Sequence, residues 1–220
     1  MELLSKIKET LHLRGVYMIG TGYVGDTVSE ELNGYNYAIS FAMRYPKFII
    51  DQIKDGPTPT YFHQYRTLNA SLDANALLVQ SMLIADGHTA VYIPASQSNP
   101  KSNYEGLFSH KIAAVRSGLG FIGKNNLFLS NNHGSAVRLS TVLTSLELPM
   151  TDEIKNKCGT CDKCFNACPS GAIYGQVSES YNRDDVFSPE KCSLYMKDKF
   201  KHIGRGSVCG ICIGVCPFSK

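Results

Sequence analysis

The sequence predicts an α+β fold in two parts: an N-terminal mixed sheet with flanking helices over residues 1–150, and a small cysteine-built domain over residues 151–220. Two observations predict it. Across the first 150 residues, apolar runs rich in β-branched and aromatic residues alternate with segments of helical period, the pattern of a sheet covered by helices. No cysteine occurs before Cys158, and all eight fall between Cys158 and Cys216, which marks a dedicated site.

The elements follow in order. Residues 1–15 (MELLSKIKETLHLRG) set Leu3, Leu4, Ile7 and Leu11 on one helical face, charges on the other, and contain no secretory core with a cleavage site. They read as a docking helix of a cytoplasmic protein. Residues 15–24 and 35–43 are strands by composition. Residues 60–86 carry Leu68, Leu72, Leu78, Met82 and Leu83 at helical spacing, with Gly87 as the stop. A short strand at 89–93, a polar loop at 95–106 and a helix at 110–117 ending at Gly118 come next. Residues 126–130 and 135–144 form an expected hairpin turning at 132–134, and composition shifts to cysteine, glycine and lysine at 150–157.

Bulk properties exclude several classes. Hydrophobic content of 43% and charged content of 19% suit a globular domain rather than a disordered or fibrous one. No apolar run approaches the ~20 residues of a membrane span, so no membrane partner is expected. A net charge of +3 is too small to imply nucleic acid unless a basic patch is local. In a cytoplasmic chain eight cysteines are not a disulfide framework, so metal is the default.

The spacing names the metal. Cys158-x2-Cys161-x2-Cys164-x3-Cys168-Pro169 is followed by Cys192 and then Cys209-x2-Cys212-x3-Cys216-Pro217. This is the bacterial-ferredoxin pattern for two 4Fe-4S clusters, in which the fourth cysteine of each run ligates the other cluster. The crossing assigns Cys158, Cys161, Cys164 and Cys216 to one cluster and Cys168, Cys192, Cys209 and Cys212 to the other. Each x3 step is expected to start a helix, with Pro169 and Pro217 at its beginning. Two structural zinc sites would also use thiolates, but they pair two Cys-x2-Cys knuckles and need neither the tight triple nor the Cys-Pro ending. Clusters side by side form a one-electron wire that needs a source and a sink.

Two glycine patterns compete for attention. Gly20-x-Gly22-x-x-Gly25 follows a predicted strand, yet it lacks the acidic residue expected ~20 positions on, where Arg44 and Tyr45 stand. Gly118-x-Gly120-x-x-Gly123 runs from helix to strand, the wrong order for a dinucleotide site. Turns requiring positive φ are the alternative explanation for both.

Residues 109–130 (SHKIAAVRSGLGFIGKNNLFLS), 134–149 (GSAVRLSTVLTSLELP), the helix around 61–73 (YFHQYRTLNASLD) and the cysteine module together resemble the epoxyqueuosine reductase family, cobalamin-dependent enzymes whose core is related to reductive dehalogenases. The resemblance implies cobalamin held in the N-terminal domain beside the nearer cluster, with Gly118, Gly120, Gly123, Lys124 and Asn125 lining the site. Two departures stand out. The family's proton-donating aspartate, in an Asp-Ser-Ala-Pro motif, is replaced where this sequence reads Tyr92-Ile93-Pro94-Ala95-Ser96. The chain also ends at Lys220, where the tRNA-modifying enzymes continue into a helical-repeat domain, so tRNA is not expected as a partner.

No catalytic residue is identified from the sequence. Among His63, His88, His110 and His133, His110 is best placed to replace the missing acid, although a lone histidine is more often structural. Lys124 and Arg138 could hold phosphate or amide groups of a nucleotide-like cofactor, though such side chains usually solvate a surface. The leading expectation is an iron–sulfur oxidoreductase fed by a redox partner protein and passing electrons to a corrinoid. Its alternative is a non-catalytic carrier or activator that docks on a corrinoid protein. A structural cluster protein contacting nucleic acid has only the mild positive charge behind it.

Overall fold

The computed structural model describes residues 2–96, 104–178 and 182–219. Its architecture is α+β. The elements are α1 (Glu2–Leu13), β1 (Met18–Tyr23), β2 (Tyr37–Arg44), α2 (Lys47–Asp51), α3 (Pro59–Ala85), β3 (Ala90–Ile93), α4 (His110–Arg116), β4 (Gly120–Ile122), β5 (Phe128–Ser130), β6 (Val137–Thr144), α5 (Lys163–Ala167), α6 (Pro189–Lys199) and α7 (Ile211–Gly214). Among the described residues, no helix is long and apolar enough to cross a membrane. Of the loop expected at 95–106, residues 97–103 lie outside the described residues.

The four-stranded sheet has the order β1-β2-β6-β3. β1 and β2 run antiparallel from Met18 opposite Ala42 to Tyr23 opposite Tyr37, and β3 and β6 antiparallel from Ala90 opposite Thr144 to Ile93 opposite Thr141. The periodicity of α1 takes effect here: Ile7 and Leu11 are fully buried with Ile39, Phe41, Leu72, Val79, Leu83 and Val142, and Leu3 and Leu4 pack on that cluster. Each such aliphatic contributes about 1.5–3 kcal/mol by leaving water. A smaller cluster gathers Val24, Ala38, Ile93, Phe108, Ala113 and Leu143. Gly87 ends α3 in the left-handed region at φ +89°, with the His88 N–H reaching the Leu83 carbonyl at 3.0 Å.

The glycines of the first pattern are strand residues whose role is close packing. A Cβ on Gly20 would lie 2.3 Å from the Ser117 carbonyl oxygen, and one on Gly22 2.1 Å from that of Arg116. The C-terminal turn of α4 therefore rests directly on the backbone of β1. Neither glycine has positive φ, which corrects the turn explanation for this pattern. Gly118 does fit it, with φ +66° closing α4 through Gly118 N–H to Val115 O (2.9 Å) and Leu119 N–H to Ala114 O (3.0 Å).

The expected hairpin is also corrected. β5 pairs with β4, while β6 lies between β2 and β3. Only the turn survives, as Ser130 and Gly134 exchange backbone hydrogen bonds of 2.9 and 3.1 Å. The true hairpin turns at 123–126, where Gly123 N–H donates to Leu127 O (2.9 Å) and Asn126 takes φ +55°.

The chain divides into two compact units that do not follow a linear boundary. The first comprises Met1–Met43, Leu68–Gly120 and Arg138–Ile154; the second comprises Arg44–Thr67, Phe121–Val137 and Lys155–Lys220. The cysteine segment thus recruits two earlier stretches, a departure from the linear division at residue 150. Packing inside the second unit explains it. A Cβ on Gly214 would meet the Ile53 backbone at 3.0 Å, one on Gly204 the Phe62 ring at 2.3 Å, and one on Gly134 the Phe218 backbone at 2.3 Å.

Gly22→Ala should destabilise the first unit by about 2 kcal/mol, the cost of forcing a methyl into a filled contact. Anaerobic thermal unfolding should show a lower Tm. An unchanged Tm would contradict the packing of α4 on β1.

Candidate metal centre

The eight thiols lie in the second unit and separate into two groups. Cys158, Cys161, Cys164 and Cys216 line one cavity, together with Lys124, Asn125, Leu129 and Phe218. Electrostatic coupling outlines the other group: Cys192 feels Cys209 and Cys168, and Cys212 feels Cys209, Cys192 and Cys168 most, with Cys164 of the first group the smallest contribution. All eight are free and partly buried. Among the described residues, no three Cys, His, Asp or Glu side chains are positioned to hold a single metal ion. Four thiols lining one cavity suit a multi-iron cluster.

Short-range geometry builds each wall. The Cys161 N–H closes a turn on the Cys158 carbonyl at 2.9 Å, and Cys164 sits in α5. The two short helices α5 and α7 pack against each other. Contrary to the expected start of a helix after each x3 step, α5 ends at Cys168 and α7 ends before Cys216. Proline is the reason: Pro169 disfavours helical backbone in the residue before it, and Cys168 is extended at φ −75°, ψ 106°.

Burial governs the thiols. It raises Cys164 to about 11 and Cys192 to about 12, and neighbouring thiols add to both. Burial likewise raises Cys158, Cys209 and Cys212. Cys168 goes the other way. Burial opposes its ionisation, but the Ser170 hydroxyl and the backbone around Ser170, Ala172 and Ile173 outweigh that and lower its pKa. Most of these thiols are therefore protonated near neutrality in the absence of metal, and loading iron must release protons.

The glycine–lysine segment sits partly at this cavity. Lys124 Nζ donates to the Cys161 carbonyl at 3.1 Å, and a Cβ on Gly123 would lie 2.7 Å from Leu129 Cδ1 and 3.3 Å from Cys158 Sγ. Asn125 is buried; its Oδ1 accepts the Leu127 N–H at 3.2 Å, while its buried Nδ2 has no hydrogen-bond partner among the described residues. That orphaned donor at a thiol-lined cavity fits a group rich in sulfide. Gly118 and Gly120 belong to the first unit, and the open side of Gly118 is filled by Thr151, 2.4 Å from where a Cβ would stand. Gly118 and Gly123 thus allow close approach of Thr151, and of Leu129 and Cys158, respectively. Sequence reasoning missed Asn156, whose amide donates to the Ile122 carbonyl while its Oδ1 accepts the Cys158 N–H at 2.8 Å. Its only signal was an Asn two residues before a cysteine, the geometry of an Asx turn.

His110 belongs to the first unit and is committed on both sides. A carbonyl can only accept, so Nε2 donates to Pro94 O (2.9 Å) and Nδ1 accepts from the Thr141 hydroxyl (2.9 Å). Burial lowers its pKa to about 4, leaving it neutral at physiological pH. Nearby, Asp73 accepts the Ala95 N–H at 2.7 Å, and Arg138 donates to Asn69 Oδ1 (2.9 Å) and the Ala95 carbonyl (3.1 Å). These side chains clamp the backbone at Pro94 and Ala95. His63 is exposed, His88 stands 3.5 Å from Asp86, and His133 is lowered by burial and by Arg44.

Comparison with known proteins agrees with this geometry. Residues 157–219 match the 4Fe-4S double cluster binding domain. An epoxyqueuosine reductase from Lactococcus garvieae is 31% identical over 118 residues, 49% of this chain and 31% of that protein. This chain therefore spans about a third of the length of the curated relatives it matches. A crystal structure of epoxyqueuosine reductase with an epoxyqueuosine-modified tRNA-Tyr stem loop shares the fold at TM-score 0.62 and 21% identity, over 99% of this chain and 65% of that one. A reductive dehalogenase whose structure suggests a mechanism for B12-dependent dehalogenation does so at 0.78 and 19%, over 97% and 31%. The expectation against tRNA does not stand, since the curated relatives are epoxyqueuosine reductases and one neighbour was solved with a tRNA stem loop. The chain is thus similar to epoxyqueuosine reductases over about half its length, shares their fold, and matches a 4Fe-4S double cluster binding domain at residues 157–219.

Proposed function

We propose that the chain is an iron–sulfur oxidoreductase that passes single electrons through two 4Fe-4S clusters to a corrinoid cofactor. The observation that carries this reading is the sorting of eight thiols into two sets of four. The first cluster is held by Cys158, Cys161, Cys164 and Cys216, the second by Cys168, Cys192, Cys209 and Cys212. Exchange of the fourth cysteine between sets ties the two clusters into one rigid body, which keeps the distance between them fixed.

The chain's own groups prepare the first cavity. Asn125 brings an unpartnered buried Nδ2 to the cavity lining and the backbone N–H of Lys124 donates to Cys158; donors of this kind would favour the reduced, more negative state of a cluster held there. The Lys124 ammonium adds positive charge there, and its bond to the Cys161 carbonyl fixes where that charge stands. Lys124 and Asn125, at the rim of the thiol cavity, are the residues of the glycine–lysine segment that would contact a corrinoid, which would supply a reactive cobalt centre. Support for the corrinoid comes from the dehalogenase neighbour with its B12-dependent mechanism. With epoxyqueuosine reductases as relatives, tRNA is the macromolecular substrate class to test first.

One observation favours a second reading, an electron carrier or activator without a substrate of its own. The family's aspartate is absent, and His110, the nearest substitute, has both ring nitrogens occupied.

Anaerobically prepared protein should contain about eight iron and about eight acid-labile sulfide per chain, the content of two cubanes. Stoichiometric zinc without sulfide would overturn the proposal. Cys164→Ala and Cys216→Ala should lose the same EPR signal, and Cys168→Ala the other. Loss of one signal by both Cys164→Ala and Cys168→Ala would refute the crossed assignment.

Titration with cob(II)alamin followed by EPR should show binding well below ~100 μM, the range expected of a cofactor site. Lys124→Glu should weaken it while leaving iron content unchanged. Absence of binding by the cluster-loaded protein would leave the carrier reading.

A further inference from the structure

We propose that a basic surface of the second unit, formed by residues 54–66 and 197–205, docks an acidic one-electron carrier protein that reduces the clusters. It rests on the two-cluster reading and adds the point of electron entry. Charge is segregated between the units. The second carries 15 Lys and Arg against 8 Asp and Glu, a net +7, whereas the first carries 7 against 11, a net −4. The modest overall charge of +3 conceals this contrast.

Within the second unit, the exposed Lys197, Lys199, Lys201 and Arg205 fall in the segment joining Cys192 to Cys209, two thiols of the same set. The stretch at 54–66 adjoins it. A Cβ on Gly56 would lie 3.0 Å from the Phe200 ring, one on Gly204 2.3 Å from the Phe62 ring, and the Arg66 guanidinium stands 5.8 Å from the Phe62 centroid. Asp51, Asp55 and Asp198 are the acids of the patch, with Lys199 2.9 Å from Asp198 and Lys54 3.9 Å from Asp51. Lys and Arg still outnumber them.

The loop is built to hold its arginine in place. Gly204, Arg205 and Gly206 are all left-handed, at φ +57°, +58° and +73°, a conformation that arginine rarely adopts. A Cβ on Gly206 would lie 2.6 Å from the Met196 carbonyl oxygen, so the loop is seated on the end of α6. Strain retained at an exposed, charged loop tip points to a binding role. Position decides the partner: residues 197–205 lead into Cys209, and a Cβ on the adjoining Gly210 would lie 3.2 Å from Tyr61, so a carrier seated here is close to the second thiol set, a proximity that RNA recognition does not need. In the transfer, the reduced carrier loses one electron and an oxidised 4Fe-4S cluster gains it, with no bond formed and no proton required.

Stopped-flow mixing of reduced flavodoxin with the cluster-loaded protein tests this. The second-order rate should fall about tenfold or more as salt rises from ~20 to ~300 mM, as for a steered encounter. Arg205→Gly, which relieves the left-handed strain, should keep iron content and Tm while slowing reduction and flattening the salt dependence. Lys199→Glu combined with Lys201→Glu should slow it further. Reduction of every variant by dithionite should stay at the wild-type rate. A carrier rate indifferent to salt and to these substitutions would overturn the docking surface. So would variants that lose a tRNA stem loop yet keep the carrier rate, assigning the face to RNA. Wild-type protein lacking the iron and acid-labile sulfide of two cubanes would remove the two-cluster reading itself.

Discussion

Eight soft thiolates must be held in two sets of four, and most of the second unit is arranged around that constraint. Each thiol is partly buried, and for most of them burial opposes the ionisation that iron binding requires. Metal binding and folding of this unit are therefore coupled: iron supplies the positive charge that the buried thiolates need. The x2 and x3 spacings deliver the thiols locally. They do not supply the surrounding walls, which come from the hairpin at 121–137 and the stretch at 44–67.

This explains why some of the molecule was legible in the sequence and some was not. Periodicity located α1 and α3 because it reports directly which side chains leave water, and Ile7, Leu11, Leu72 and Leu83 are all in the core. The cysteine spacing was legible because thiolate ligation leaves little freedom in chain length. Gly20 and Gly22 were not, since their role is set by a helix carbonyl arriving from residues 116 and 117, far along the chain. The pairing of β5 was misread for a similar reason: a good turn at 131–133 fixes a reversal, but the next strand's partner is chosen by the sheet. Interleaving of the units left no trace in composition, because the recruited residues, such as Ile53, Phe62 and Gly134, look like ordinary core residues.

At the site, the sequence named the thiols and Lys124, and the structure changed the meaning of the glycines around them. Gly118 and Gly123 accommodate Thr151, Leu129 and Cys158, while Asn125 offers the buried donor. The polar clamp at Pro94 and Ala95 could not be read in advance. His110, Asp73, Arg138 and Thr141 come from three separate stretches, α4, α3 and β6, and meet only in the folded first unit. Together they hold the backbone of Pro94 and Ala95 in place.

The account stands on two clusters sharing one unit at a fixed separation. The most direct measurement is the EPR spectrum of the fully reduced, anaerobically loaded protein. Two half-integer-spin clusters whose ligand sets are linked through Cys164–Cys168 and Cys212–Cys216 should give broadened, split features from spin–spin interaction. Those features should collapse to one simple signal when Cys192→Ala removes the second cluster. Two unperturbed signals, or a wild-type spectrum from a single isolated cluster, would contradict it.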